Sequence, residues 1–362
     1  MKRKIIALVL FAFVCSWAAQ AKEYNFIKAN DERYAYVGRI SFANPERPTW
    51  DYPGAQIHCV FNGTSVRMLT KANSGYFMIE LDNQEPFKVE STPTDSLVLI
   101  AENLADNQHR LTITYCMEGL LRHPAFYGLY LDANRTLEQK PKLPTRRIEF
   151  IGNSITCGYG IEGDGSEKKF SYSQENAYMT YGARTARALN AQWQLVSRSG
   201  IGVYRNSNGN VNGDKSVMPV YYPYTLFKKS GELWDFSRYQ PDVVCINLGT
   251  NDTTLPSYDV ELMTKAFCQF LQAVRGHYPD AKIVLLTGTM LKAGSKRLQD
   301  LKQAEDEAVA DAKKRGDNEV YRFDFTPADG SLGWGTHRHP SMRQHEQMAT
   351  ELTAYLQRLM NW

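Results

Sequence analysis

The spacing of apolar residues changes once along this chain, at residues 132–147, and that change limits the folds available to it. Upstream, apolar side chains alternate with a period of two, as in Ile57, Cys59 and Phe61 or Leu111, Ile113 and Tyr115, the signature of strands with one buried face. Downstream, apolar strand-like runs at 148–151, 193–196, 243–248, 283–286 and 320–325 are separated by stretches of helical spacing. Strand and helix in alternation mean an α/β unit around a parallel sheet. In one of the helical stretches Val260, Met263, Phe267, Phe270, Leu271 and Val274 fall on one face, a stripe for packing against a core. Between the two regimes, 132–147 loses periodicity and gathers Pro141, Pro144 and several charges, the composition of a linker. The 362 residues exceed what one ordinary core serves. The expectation is therefore two domains: an all-β sandwich or jelly roll over 22–140 and a three-layer α/β domain over 145–362. Within the first, Asn62-Gly63 between two alternating runs predicts a tight hairpin, since both residues tolerate positive φ.

The N-terminus adds a location. Lys2, Arg3 and Lys4 precede an apolar stretch too short to span a bilayer, and Ala19-Gln20-Ala21 supplies small residues for cleavage. Residues 1–21 thus read as a bacterial-type signal peptide, and the protein as secreted or periplasmic. Those three basic residues account for the formal net charge of +3, so the remainder is formally neutral. That balance disfavours nucleic acid and anionic membranes as partners, and no later run is long enough to insert into a membrane. Five cysteines follow the leader, Cys59, Cys116, Cys157, Cys245 and Cys268, odd in number and unpaired in spacing, which reads as mostly buried free thiols. No Cys or His cluster has metal-ligand spacing, so neither metal nor cofactor is expected.

In the second half, Ser154 directly follows the first strand-like run, at the carboxyl end where open parallel sheets place their ligands. A lone serine there is more often a helix cap. Its surroundings are not the G-x-S-x-G elbow, because position 156 is Thr and the next glycine is Gly158. Three further stretches follow strand ends of the same sheet: Ser199-Gly200-Ile201-Gly202, Gly249-Thr250-Asn251-Asp252 and His339-Pro340. Converging on one rim, they supply what acyl transfer needs: a nucleophile, oxyanion donors and a base.

Those four ordered blocks resemble the SGNH (GDSL-type) hydrolases. By that resemblance Ser154 is the nucleophile, His339 the general base, and the oxyanion hole consists of the Ser154 and Gly200 backbone N–H groups with the Asn251 side-chain amide. Tyr36-Val37-Gly38-Arg39-Ile40, the run from Ile155 through Thr156-Cys157-Gly158-Tyr159 to Gly160, and Ile246-Asn247-Leu248 narrow the resemblance to carbohydrate esterase family 2. Members of that family carry an N-terminal jelly roll before the SGNH domain and deacetylate plant polysaccharides. Two positions depart from the superfamily pattern. Asn153 stands where most members have Asp. The Asp that precedes the catalytic His is missing, because Thr336, His337 and Arg338 occupy those positions. A backbone carbonyl or a distant acid must then orient His339, or the enzyme runs as a Ser-His dyad. His337 is a lesser candidate for the base, and Cys157 reads as a packed residue.

The long segment 204–239 is rich in Asn, Gly, Tyr and Trp. Tyr222 and Asn206 from it, with Trp334 near His339, are the candidate sugar contacts, since aromatic faces and amides suit pyranose rings. The expected activity is a serine esterase that removes O-acetyl groups from plant cell-wall polysaccharides, with an acetylated carbohydrate as its partner. A lipase or phospholipase of the same superfamily and a non-catalytic carbohydrate-binding protein are the competing readings. The sequence carries no sign of oligomeric state.

Overall fold

The computed structural model describes residues 23–167, 169–228 and 231–362; the expected signal peptide lies outside them. The first nine strands are β1 (Tyr24–Lys28), β2 (Ala35–Val37), β3 (Gln56–Gly63), β4 (Val66–Thr70), β5 (Gly75–Leu81), β6 (Phe87–Ser91), β7 (Leu97–Ala101), β8 (Asn107–Tyr115) and β9 (Phe126–Asp132). They form two antiparallel sheets, ordered β1-β9-β4-β7 and β2-β3-β8-β5-β6. Side chains of alternating strand positions line the space between them: Ile57, Cys59 and Phe61 of β3 and Leu111, Ile113 and Tyr115 of β8 share one buried cluster with Val66, Met68, Leu129 and Leu131 from the opposite sheet.

The hairpin expected at Asn62-Gly63 does not form. Both residues continue β3, opposite Gln108 and Asn107 of β8, and the chain then crosses to the other sheet, where Val66 of β4 pairs with Leu131. The Asp132 carboxylate holds the crossing. It accepts hydrogen bonds from the N–H groups of Thr64 (2.5 Å) and Ser65 (3.1 Å) and from both hydroxyls (2.9 and 2.5 Å). A turn signal reports local backbone freedom; which strand lies alongside is decided by burial across the sandwich.

The second half contains β10 (Arg146–Gly152), α1 (Ser154–Cys157), α2 (Tyr181–Ala188), β11 (Ala191–Ser197), α3 (Met218–Tyr221), β12 (Val243–Asn247), α4 (Val260–His277), β13 (Lys282–Thr287), α5 (Lys296–Lys314), β14 (Val320–Asp324) and α6 (Met342–Met360). Its five strands are all parallel, in the order β11-β10-β12-β13-β14. Alternating residues sort to two faces. Ile148 and Phe150 of β10 cluster with Tyr181 and Ala183 of α2 and Met348 and Leu352 of α6, while Ile151 clusters with Phe267 and Leu271 of α4 and Leu301 of α5. Three layers result. Each long helix starts at a capping oxygen, Asp259 to the Leu262 N–H (3.0 Å), Ser295 to that of Leu298 (3.3 Å) and Ser341 to that of Gln344 (3.2 Å), which satisfies a donor the helix itself leaves free. The apolar stripe of α4 is buried except at Val260, which is half-buried in its first turn. Among the described residues the five cysteines are free, four buried and Cys268 half-buried.

The Pro-bearing connection is strapped down. Leu137 is buried, its carbonyl accepts from the Arg33 guanidinium at 2.6 Å, and the Glu138 N–H donates to the Val60 carbonyl at 2.8 Å. The two halves also share a buried ion pair. Arg39, just after β2, places its guanidinium 3.6 Å from Glu149 in the middle of β10, and both side chains are fully excluded from solvent. Glu149 further accepts from the hydroxyls of Tyr222 (2.5 Å) and Tyr278 (3.1 Å) and from the Gln194 amide. The guanidinium lies over the Tyr222 ring at 4.5 Å and donates to the Tyr222 and Tyr224 carbonyls.

Removing one member of a buried pair leaves the other charge uncompensated, which costs about 3–5 kcal/mol. Arg39→Met should lower the unfolding free energy by that amount in urea denaturation, and adding Glu149→Gln should recover part of it. A single variant as stable as the parent would show that the pair contributes nothing.

Candidate active site

Strand β10 delivers the serine. Asn153 caps the short helix α1 in extended conformation, with its Oδ1 accepting from the Ile155 N–H at 3.0 Å, so the amide keeps the acceptor this turn requires. Ser154 follows as the first helical residue, 7% exposed. Its Oγ lies 2.9 Å from Nε2 of His339, and His339 Nδ1 lies 3.1 Å from the Thr336 carbonyl oxygen. A carbonyl only accepts, so Nδ1 carries the proton and the Nε2 lone pair faces the serine. Burial pushes the His339 pKa down to about 4, only partly offset by the hydrogen bond to Thr336 and reinforced by nearby His337. His337 instead meets the Tyr159 hydroxyl through Nδ1, at 3.0 Å.

The loop that presents His339 is strained and braced. His337 and Arg338 both adopt left-handed backbone conformations, with φ of 54° and 58°, each costing a non-glycine residue about 1–2 kcal/mol. The bracing comes from the Thr336 N–H donating to the Gly160 carbonyl (3.0 Å), the Gly335 N–H donating to the His339 carbonyl (2.8 Å) and the Thr336 hydroxyl donating to Gln174 (3.0 Å). Gly160 has φ of 64°, and a Cβ there would lie 2.6 Å from the Thr336 Cβ. The aromatic ring of Tyr159 covers His339 at 4.6 Å and stacks on Phe170 at 4.0 Å, which meets Tyr172 edge-on at 5.4 Å.

On the other side of the serine, the Arg198 N–H donates to the Gly152 carbonyl at 3.2 Å, tying the end of β11 to the end of β10. Gly200 follows with φ of 79°, and a Cβ there would meet nothing within 4 Å: the backbone conformation calls for glycine, and the space above it is open. Among the described residues neither the Ser154 nor the Gly200 N–H meets an acceptor. Asn251 donates one amide hydrogen to the Ile201 carbonyl at 2.8 Å, which fixes the carboxamide next to Gly200 and leaves its second N–H. Asp252 organises the loop that follows. Its buried carboxylate accepts from the N–H groups of Val203 (2.9 Å), Tyr204 (2.8 Å) and Arg205 (3.1 Å). Burial raises its pKa and these three donors oppose the rise.

The three candidate sugar contacts fare differently. Tyr222 is 1% exposed and its hydroxyl is spent on Glu149; it belongs to the interdomain core and faces no substrate. Asn206 lines a small depression with Arg198, Ser199, Gly200, Ile201 and Ser216, but its amide braces the loop, accepting from the Gly202 N–H (3.2 Å) and donating to the Ser216 carbonyl (3.0 Å). Trp334 is half-buried on the His339 loop, bridged to Pro340.

Residues that sequence reasoning passed over complete the site. Besides Tyr159, Phe170 and Tyr172, these are Glu118 from the loop between β8 and β9 and Glu175 from the loop before α2. Among the described residues, Glu118, Cys157 and Glu175 form the one group of three ligand-type side chains whose donor atoms lie within 4.8 Å of one another. Each is already engaged. Glu118 accepts from the Ser199 N–H, Glu175 from the Glu118 N–H, and the Cys157 thiol donates to the Ser197 hydroxyl. Burial raises the pKa of Cys157 far above its ordinary value.

Comparison with known proteins gives this geometry a family. The family model for the carbohydrate esterase 2 N-terminal region matches residues 36–141, and that of the GDSL-like lipase/acylhydrolase family matches 150–347. A solved structure of a family two carbohydrate esterase from Clostridium thermocellum, in complex with cellohexaose, superposes with a TM-score of 0.84 at 37% identity, over 91% of this chain and 99% of that one. The chain belongs to carbohydrate esterase family 2. Among curated relatives, the cellulase/esterase CelE of Acetivibrio thermocellus is 37% identical over 90% of this chain, which spans only 39% of that longer protein. An acetylxylan esterase / glucomannan deacetylase of Cellvibrio japonicus is 29% identical over 93% of this chain and 91% of its own length. In this family member the parallel sheet is the GDSL-like half and the antiparallel sandwich the family-specific half.

Removing the Asp252 carboxylate would orphan three buried N–H groups, each costing about 1–3 kcal/mol. Asp252→Ala should therefore destabilise the fold by at least about 3 kcal/mol in urea denaturation. A loss below about 1 kcal/mol would show that water replaces the carboxylate without penalty.

Proposed function

We propose that this protein is a serine esterase that removes O-acetyl groups from plant cell-wall polysaccharides such as acetylated xylan or glucomannan, and that it works outside the cytoplasm. The observation that carries the reading is the contact of 2.9 Å between Ser154 Oγ and His339 Nε2, with Nδ1 turned to a backbone carbonyl. The named activities of its relatives supply the substrate class. Ser154 attacks the acetyl carbonyl while His339 takes its proton. The oxyanion is held by the N–H groups of Ser154 and Gly200 and by the Asn251 amide; His339 then protonates the sugar hydroxyl as it leaves, and water repeats the sequence to release acetate. Aromatic faces at Tyr159, Phe170 and Trp334 are the proposed sugar contacts. The depression beside Gly200 is small and mostly polar-lined, which suits a short acyl group better than a long chain, so hydrolysis should fall from acetyl to longer p-nitrophenyl esters.

The pair acts as a dyad in this reading. A carbonyl orients the imidazole as a carboxylate would, but it brings only a partial charge, so it raises the imidazole pKa less. His339 must be neutral to act as base. With its pKa pushed down to about 4 by burial, kcat/KM should rise with pH through an inflection near 4 and stay level across neutrality. An acidic limb near the ordinary histidine value of about 6.5 would contradict the carbonyl-held base.

Ser154→Ala should abolish acetate release from acetylated xylan and glucomannan with unchanged circular dichroism. His339→Ala should cost on the order of thousands-fold in kcat, as loss of a catalytic-unit member does. Acetate release by Ser154→Ala near the parental rate would refute the assignment.

A further inference from the structure

We propose that Glu118, carried by the N-terminal β-sandwich, is a positioning residue for the oxyanion hole of the α/β domain, acting through the Ser199 N–H one residue before Gly200. This rests on the esterase reading above and assigns a part in it to the other domain. The contact is short: Glu118 Oε1 accepts from the Ser199 N–H at 2.7 Å. Next in the chain is Gly200, with open space above it and φ of 79°, so no side chain of its own fixes the peptide that precedes it. Rotation of the 199–200 peptide would swing the Gly200 N–H away from a developing oxyanion, and the bond to the Ser199 N–H fixes the peptide plane on which that rotation pivots.

Glu118 can act as a fixed point because the backbone at and beside it is held by three bonds. The Ala177 N–H donates to the Cys116 carbonyl (2.8 Å), the Glu118 N–H to Glu175 Oε1 (3.2 Å) and the Gly119 N–H to the Asp51 carbonyl (2.7 Å). At Gly119 even a Cβ would come within 2.6 Å of the Trp50 carbonyl oxygen. Two carboxyl groups so close cannot both ionise cheaply. Burial and the proximity of Glu118 push Glu175 well above the carboxylate range, whereas the rise that burial imposes on Glu118 is opposed by Ser199 and by Arg198. The neighbours Cys157 and Ser197 sit behind Ser154 on α1 and β11, so the cluster touches both catalytic elements.

The test is steady-state hydrolysis of p-nitrophenyl acetate by the full chain. Loss of one oxyanion donor costs about 10²–10³ in kcat. Loosening its carrier should cost a part of that: Glu118→Ala is expected to lower kcat about 10- to 100-fold with KM within about twofold. Glu118→Gln keeps an acceptor oxygen and should stay within about threefold of the parent. Glu118→Ala and Asn251→Ala should also combine to less than the product of their separate losses, since both act on one hole. If Glu118→Ala is not recovered folded, Glu118→Asp, which withdraws the acceptor by one methylene, is read by the same criteria. A kcat within twofold of the parent, or losses that multiply fully with Asn251→Ala, would overturn the proposal. Failure of the esterase reading looks different: the parent would then be inactive, or Ser154→Ala as active as the parent.

Discussion

A cation from one domain neutralised on an interior strand of the other's sheet is the interaction on which the rest of this structure depends. Glu149 lies on β10, which sits between β11 and β12 in the sheet and ends at the nucleophile. The middle of that strand is anchored to Arg39 of the sandwich, and its end, through Gly152, to the N–H of Arg198. Burying a carboxylate and a guanidinium together is worthwhile only where donors around the one and acceptors around the other offset the lost water. Tyr222, Tyr278 and Gln194 donate to Glu149, while Arg39 donates through Nη1 to the Tyr222 and Tyr224 carbonyls and lays its remaining nitrogens, which meet no hydrogen-bond acceptor among the described residues, among aromatic faces. The antiparallel sheets are thus continuous with the scaffold of the active site.

The site itself relies on backbone where related chemistry uses side chains. A carbonyl turns the imidazole, and the left-handed pair His337 and Arg338 is what aims that carbonyl at Nδ1. Such strain persists only where surrounding structure over-determines it, and here Gly160 and Gln174 supply the restraint. The same burial that lowers the basicity of His339 also dries the space around it, strengthening every electrostatic contact a bound ester would make.

Much of this could be read in the sequence, for reasons that differ by element. The parallel strands are legible because a strand buried on both faces leaves an unbroken apolar run, and α4 because its stripe recurs at helical spacing. Ser154 and His339 were legible as motif and meet as expected. The turn at Asn62-Gly63 misleads because its letters report local freedom, whereas burial across the sandwich decides where the strand goes and the Asp132 side chain holds the crossing. Tyr222 misleads because a buried tyrosine with a hydroxyl partner and an exposed one look alike in a polar segment. The Thr336 carbonyl has no letter at all, since every residue carries one. Glu118 is distant in sequence from the motifs it touches, and only the packing of the domains brings it there.

The interdomain ion pair also bears on how such an enzyme can travel between genes. An isolated α/β half would carry Glu149 with no counter-charge, and an isolated sandwich would expose Arg39 and the Gln56 amide that now donates to the Trp193 carbonyl. Neither is a self-sufficient cassette. The heritable module is the pair, and the region that aligns within the longer CelE protein has that extent, reaching over 90% of this chain. Recombination that preserves function has its permissive borders outside the two domains and not at the proline-bearing connection between them.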